Sequence, residues 1–504
     1  MPIIDHSPSS KTPMLGENTS PRNDNTNLNG HTINQQHIYR NTVTNGSAES
    51  NTIGIIKTTP YRYLILIVFV LLSSSNAFQW IFYSIITDII TNFYNVDPGL
   101  VNWLSMLYMV AYMVLVFPGS WFLDKYGLRT SVLIGATGNV IGAFIKCFSA
   151  SPDSFWITFI GQTISASSQV FILGIPPRLA SVWFGAKEVS TACSIGVFGN
   201  QLGIAVGFLL PPYVVHNGTT EIVGKHLFDC FLASFILNVT VLILVFFIFQ
   251  SEPTFSPSIA QAHAKVSEVN AGYIKEIKKC FKDKSFILLL FCYGLNTGVF
   301  YAISTLLQQI MLPYYDGSQK EIGTIGLVLV VAGMIGTLFS GFLLDKFHRY
   351  KETTLGVYFF SFLGTILFAI SLGHVSIKIA GGVAFFLGFF MTGYLALGFE
   401  YAAEITYPIA EHSTSGLLNA SAQFFGIALT AGFGKLVDTK GPLIANIGFC
   451  VCLGIGVVLT AIGKCDLKRQ KMQHSRDPGY TSMSHSSTNG TMATSPSSLQ
   501  GHLA

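Results

Sequence analysis

The chain has 504 residues, of which half are hydrophobic and only 11% charged, with 41 phenylalanines. That balance excludes an ordinary soluble domain and indicates a polytopic membrane protein. A formal net charge of +4 is too small and too dispersed for nucleic acid, and the eight cysteines form neither a disulfide framework nor a CxxC zinc pattern.

In chain order, residues 1–58 are rich in Asn, Ser and Thr and have too few apolar side chains to bury a core. They read as a disordered cytoplasmic tail, and no cleavable signal peptide precedes the first apolar run. A bilayer core demands about 20 apolar residues per helix. Six such runs, near 63–86, 101–123, 130–148, 155–176, 189–211 and 228–250, predict an N-terminal bundle over 59–250. A basic cytoplasmic linker follows at 251–284. Runs near 285–311, 322–344, 354–373, 377–399, 412–436 and 441–463 predict a C-terminal bundle over 285–465. Residues 466–504, rich in Ser, Thr, His and Gly, read as a second disordered cytoplasmic tail.

Lysine and arginine orient this array. One side carries Lys57, Arg62, Lys125, Arg129, Arg178, Lys187, the cluster from Lys265 to Lys284, Lys346, Arg349, Lys351 and the basic residues from Lys464 to Lys471. The other has only Lys146, Lys225, Lys320, Lys378 and Lys440. Positive loops stay in the cytoplasm, so both termini are expected inside. The sequon Asn217-Gly218-Thr219 then falls outside, making Asn217 a candidate glycosylation site on a plasma-membrane protein.

The two halves repeat. GSWFLDKYGLRT (119–130) ends the second run and SGFLLDKFHRYKET (340–353) ends the eighth, so a Leu-Asp-Lys turn recurs in register. The chain here resembles the major facilitator superfamily, whose corresponding loops carry Gly-x-x-x-Asp-Arg/Lys-x-Gly-Arg/Lys. Each copy departs from that motif: Ser120 replaces a leading Gly and His348 an internal one. The expectation is an all-α membrane protein, with twelve transmembrane helices in two pseudo-symmetric six-helix bundles of the major facilitator fold. Asp124, Lys125, Arg129, Asp345, Lys346 and Glu404 are candidates for charged gates at the inner ends. Their plainer reading is ordinary solvated termini.

No Asp or Glu lies in the middle of any span, so a buried proton relay is not expected. The spans instead hold rings and carboxamides. Ser73, Asn76, Trp80 and Tyr83 step by three, four and three and share one stripe of span 1; Tyr293, Thr297, Tyr301 and Ser304 do so on span 7. Span 4 adds Gln162, Ser165 and Gln169, span 5 Asn200, and span 11 Ser415, Asn419 and Gln423. Singly, such residues can belong to an interfacial belt or bond a neighbouring helix. Together, two ring faces and neutral amides without an anion suit a weakly hydrated cation such as a quaternary ammonium. A methylated ammonium has no proton to donate and so needs no carboxylate partner.

The stretches NAFQWIFYSI, VNWLSMLYMVAY, SSQVFILGIPPRLASVWFGAKEVSTAC, GNQLGIAVGFLLPP, YGLNTGVFYAISTLL, GFEYAAEITYPIAE and SGLLNASAQFFGI are similar to the FLVCR family, the feline leukaemia virus subgroup C receptor-related members of the superfamily. The resemblance covers nearly all of residues 60–465. It implies transport of choline and, in some members, ethanolamine, with haem export or haem sensing as the alternative. It also implies a substrate site of Trp80, Tyr301, Gln169 and Gln423, joined by Asn76, Met109 and Asn200. The expected mode is electrochemically driven uniport by a monomer in the lipid bilayer, with no cofactor, no metal and no enzymatic chemistry. A receptor that binds ligand without moving it is the rival of a different class. Haem would need an axial ligand and room for a planar ring, whereas six of the histidines, His6, His31, His37, His474, His485 and His502, sit on the tails.

Overall fold

A backbone in hydrocarbon has no water to bond, so each apolar run must satisfy its own N–H and C=O groups and becomes a helix. The computed structural model describes residues 37–41, 52–56, 58–185, 188–255, 278–347, 349–407, 409, 411–463 and 467–468. Among them are twelve helical spans long and apolar enough to cross a membrane. In chain order they are Tyr61–Tyr94, Pro98–Leu123, Lys125–Cys147, Pro152–Trp183, Thr191–Val214, Thr220–Ile248, Lys284–Met311, Gln319–Leu344, Tyr350–Ser371, Ile377–Thr406, Thr414–Lys440 and Pro442–Ile462. The all-helical twelve-span architecture expected from the sequence is therefore present. Its one addition is a small antiparallel hairpin, β1 (His37–Asn41) on β2 (Thr52–Ile56), within the N-terminal tail. Most of the expected linker and the C-terminal tail lie outside the described residues.

Two spans are broken. Span 1 is α-helical over Tyr61–Ile81, tightens into a 3-10 turn at Ser84–Ile86, and resumes over Thr87–Tyr94. Span 4 pauses at Gly174 and restarts as Ile175–Trp183, with prolines in the new first turn. A proline there costs nothing, since its missing N–H has no helical partner at that position.

The duplication is visible in the packing. Span 1 lies against span 5 as span 7 lies against span 11. Ser74 Oγ donates to the Gly199 carbonyl at 2.6 Å in the first pair, and Ser421 Oγ donates to the Leu290 carbonyl at 2.8 Å in the second. Small residues let these helices touch: a Cβ on Gly203 would stand 2.1 Å from the Ser74 carbonyl oxygen, and one on Gly298 2.6 Å from Phe425 Cβ. The bundles meet through spans 5 and 8 and spans 2 and 11, with spans 1 and 7 facing one another. Large apolar side chains such as Val114, Trp121, Phe247 and Ile462 remain exposed on the outer surface, where acyl chains would cover them.

Between spans 2 and 3 the motif glycine, Gly127, has φ +80° and ψ 177°. Only glycine adopts this backbone readily. The second copy has His348 at that place, which lies outside the described residues.

Candidate functional site

The seam between spans 1 and 7 brings two rings together. Trp80 is held from both ends by Ser105 of span 2: its Nε1 donates to the Ser105 carbonyl at 3.1 Å, and Ser105 Oγ donates back to the Trp80 carbonyl at 3.1 Å. The Ser84 and Ser105 hydroxyls lie 2.6 Å apart and brace the same turn. Thus oriented, the Trp80 ring meets Tyr301 of the other bundle with centroids 5.5 Å apart and planes at 84°. That is an edge-to-face contact, in which the positive edge of one ring addresses the negative face of the other.

Met109 of span 2 is buried beside the pair. A Cβ on Gly426 of span 11 would stand 2.9 Å from Met109 Sδ and 3.2 Å from Tyr301 Cδ2, so these three residues also converge. Gly426 escaped the sequence reading because glycine has no functional group, although it lies three residues beyond Gln423 on the same helical stripe.

The carboxamides divide into two kinds. Asn76 donates to Asn139 Oδ1 at 2.7 Å and to the Ser165 carbonyl at 3.1 Å, tying span 1 to spans 3 and 4 inside its own bundle. Gln169 and Gln423 are buried and Asn200 half-buried, on spans 4, 11 and 5, and no described hydrogen bond joins them to the ring pair. Gln169 Oε1 has no protein partner, nor do Thr297 Oγ1 and Ser304 Oγ on the span 7 stripe. Such buried atoms retain hydrogen-bonding capacity for water or a polar solute. Among the described residues no group of three or more His, Cys, Asp or Glu could hold a metal.

At the end of the bundles remote from the basic loops, polar side chains cross the seam. Asp88 accepts from Gln308 Nε2 and, at 2.8 Å, from Gln319 Nε2, while its backbone N–H donates to Gln308 Oε1 at 3.1 Å. Asn102 and Gln309 exchange two bonds of 3.3 and 2.7 Å. No spacing or repeat in the sequence points to these partners. The Asn217 side of this end is an exposed loop.

At the basic end, the described charges engage groups of their own bundle. Lys125 lies over the Trp121 and Tyr126 rings, Arg129 donates to the Phe246 carbonyl at 3.0 Å, and Lys346 lies near the Phe342 and Phe347 rings. Glu404 is buried, whereas the side chains of Asp124 and Asp345 lie outside the described residues. Arg62 pairs with Glu188 at 2.9 Å within the N-terminal bundle, and Lys468 pairs with Asp283 at 2.5 Å where the tail meets the start of span 7.

The Major Facilitator Superfamily model matches residues 66–431. An uncharacterised MFS-type transporter of Caenorhabditis elegans is 52% identical over 411 residues, 81% of this chain and 70% of that protein. The choline/ethanolamine transporter FLVCR1 of Felis catus is 48% identical, covering 82% of this chain and 74% of its own. Human choline/ethanolamine transporter FLVCR2 is 45% identical, over 84% and 81%. Among solved structures, an inward-facing, unoccupied bacterial homologue of the human lysosomal transporter Spinster aligns with TM-score 0.60 at 14% identity, covering 81% of this chain and 96% of that one. A D-xylose–proton symporter aligns at 0.61 and 13%, over 80% and 98%. These two share the fold. With two repeated bundles, a superfamily match across most of its length and close identity to FLVCR1 and FLVCR2 along most of theirs, the chain belongs to the FLVCR family of major facilitator transporters.

Proposed function

We propose that this protein is a facilitative uniporter of choline, and of ethanolamine, working by alternating access, with the cation received by Trp80 and Tyr301. The observation that carries this reading is the edge-to-face pair itself. Methyl groups of a quaternary ammonium bear the same positive polarity as a ring edge, so the cation can take the place of one ring against the face of the other. The solute would then stand between the two bundles and be felt by both. Met109 lines the same point, and Gln169 and Gln423 are the amides assigned to the hydroxyl end. No Asp or Glu interrupts the middle of the spans, which favours choline's quaternary head over the primary ammonium of ethanolamine and disfavours coupling to a proton.

The basic loops support cytoplasmic termini, and the exposed sequon at Asn217 supports a glycosylated plasma-membrane protein. In that orientation the Asp88 and Asn102 clasps close the extracellular side. Both rings of the proposed site come from one chain, which supports a monomer as the unit of transport.

Purified protein in liposomes tests this. An inside-negative potential shifts the equilibrium of a monovalent cation by about 2.3 kcal/mol per 100 mV, so labelled choline should accumulate when a potassium diffusion potential is imposed and equilibrate without one. Accumulation driven by a pH gradient at zero potential would defeat uniport, and binding without counterflow would make the protein a receptor.

A further inference from the structure

Lys146 counts by position as a loop cation at the far end of span 3, but it is 3% exposed and lies inside the N-terminal bundle. Its stem runs over Gly161 of span 4, where a Cβ would stand 2.8 Å from Lys146 Cγ. The amine thereby reaches between spans 1 and 4. There it donates to Gln79 Oε1 at 2.7 Å and to Gln162 Oε1 at 3.0 Å, and no carboxylate pairs with it among the described residues. A buried ammonium is tolerated only where its hydrogen bonds are strong and well aimed. Charge-assisted bonds to carbonyl oxygens supply that and fix which way each amide faces.

The facing of the amides matters to the ring. With Gln162 Oε1 turned to Lys146, its Nε2 donates to the backbone carbonyl of Gln79 at 2.8 Å. That carbonyl belongs to the peptide bond leading into Trp80, in the last turn before span 1 breaks after Ile81. Ser165 Oγ adds a third bond, to Gln79 Oε1 at 3.0 Å. The carbonyl on the other side of Trp80 is held by Ser105. Both peptide planes flanking the tryptophan are therefore anchored, one of them through a chain that starts at the buried Lys146 amine.

We propose that Lys146 is a positioning residue for the cation site: through Gln79 and Gln162 it fixes the peptide that aims Trp80 at the seam. A lysine suits the task because its long stem carries a compact head with several donors, whereas a planar guanidinium would have to fit the same gap over Gly161.

The proposal rests on the reading of Trp80 as a cation-binding ring, and a double-mutant cycle separates the two. Equilibrium binding of labelled choline to the full-length protein in lipid nanodiscs is measured for wild type, Lys146→Met, Trp80→Ala and the double variant. Lys146→Met should weaken binding about tenfold in the native background and less than about twofold when Trp80 is already Ala, since coupled residues are not additive. Equal weakening in both backgrounds, or none, overturns the proposal while leaving the ring site intact. Unchanged affinity in Trp80→Ala alone overturns the ring site, and the role of Lys146 with it. If Lys146→Met does not yield folded protein, Gln162→Leu takes its place in the same cycle, with Lys146 still bonded to Gln79, and the same dependence on Trp80 is required.

Discussion

Asp88 of span 1 and Gln308 of span 7 are joined twice across the bundle seam, the glutamine amide donating to the carboxylate and accepting from the Asp88 backbone N–H. Gln319 adds a further bond to the same carboxylate. A hydrogen bond to a charged group contributes about 1.5–3 kcal/mol. Gln308→Leu should therefore shift the population by roughly one to two orders of magnitude toward the alternate state, open at this end. Distances between spin labels placed on spans 1 and 7 at this end would report it; an unchanged distribution would show that the clasp does not hold the state.

Each ring should contribute a separable share of cation affinity. A cation-π contact amounts to about 0.5–2 kcal/mol, so Trp80→Ala and Tyr301→Ala should each raise the KM for choline between about twofold and thirtyfold. Tyr301→Phe keeps the ring and should stay within about twofold. Uptake normalised to surface abundance distinguishes the three, and a large effect of Tyr301→Phe would move the role from the ring face to the hydroxyl.

Gly426 should be sensitive to a single methyl group. Its Cβ would intrude on Met109 and on the Tyr301 ring together, and the thioether is the softer neighbour. Gly426→Ala should leave the protein abundant but cut choline uptake several-fold. Met109→Ala combined with it should restore part of the loss. Failure of the second change to help would place the strain on Tyr301 alone.

The turn at Gly127 should be intolerant for a different reason. A Cβ there meets no atom within 4 Å, so space is not limiting, but φ +80° with ψ 177° is unfavourable for any L side chain. Gly127→Ala should destabilise the protein by about 1–3 kcal/mol and lower the melting temperature measured in detergent.

The twelve spans were legible because hydrocarbon leaves the backbone no alternative, and that Trp80 and Tyr301 lie on polar stripes of spans 1 and 7 was legible from helical spacing. Their angle was not, since it depends on Ser105 gripping the indole from a different helix. Lys146 was misplaced by counting, which treats every cation near the end of an apolar run as solvated. The glycine at 161 and the glutamines at 79 and 162 are the signal that a long stem has somewhere to go. The Asp88 clasp was not legible, because its partners lie more than two hundred residues away and share no periodicity with it. The break in span 1 was hidden because no proline marks it.

Asn102 and Gln309 face each other as two neutral amides, each giving and taking one bond. Debye screening acts on net charges and finds none here, and neither group ionises in the range a cell can reach. This contact therefore keeps the same strength in brine as in dilute buffer and in acid as at neutral pH.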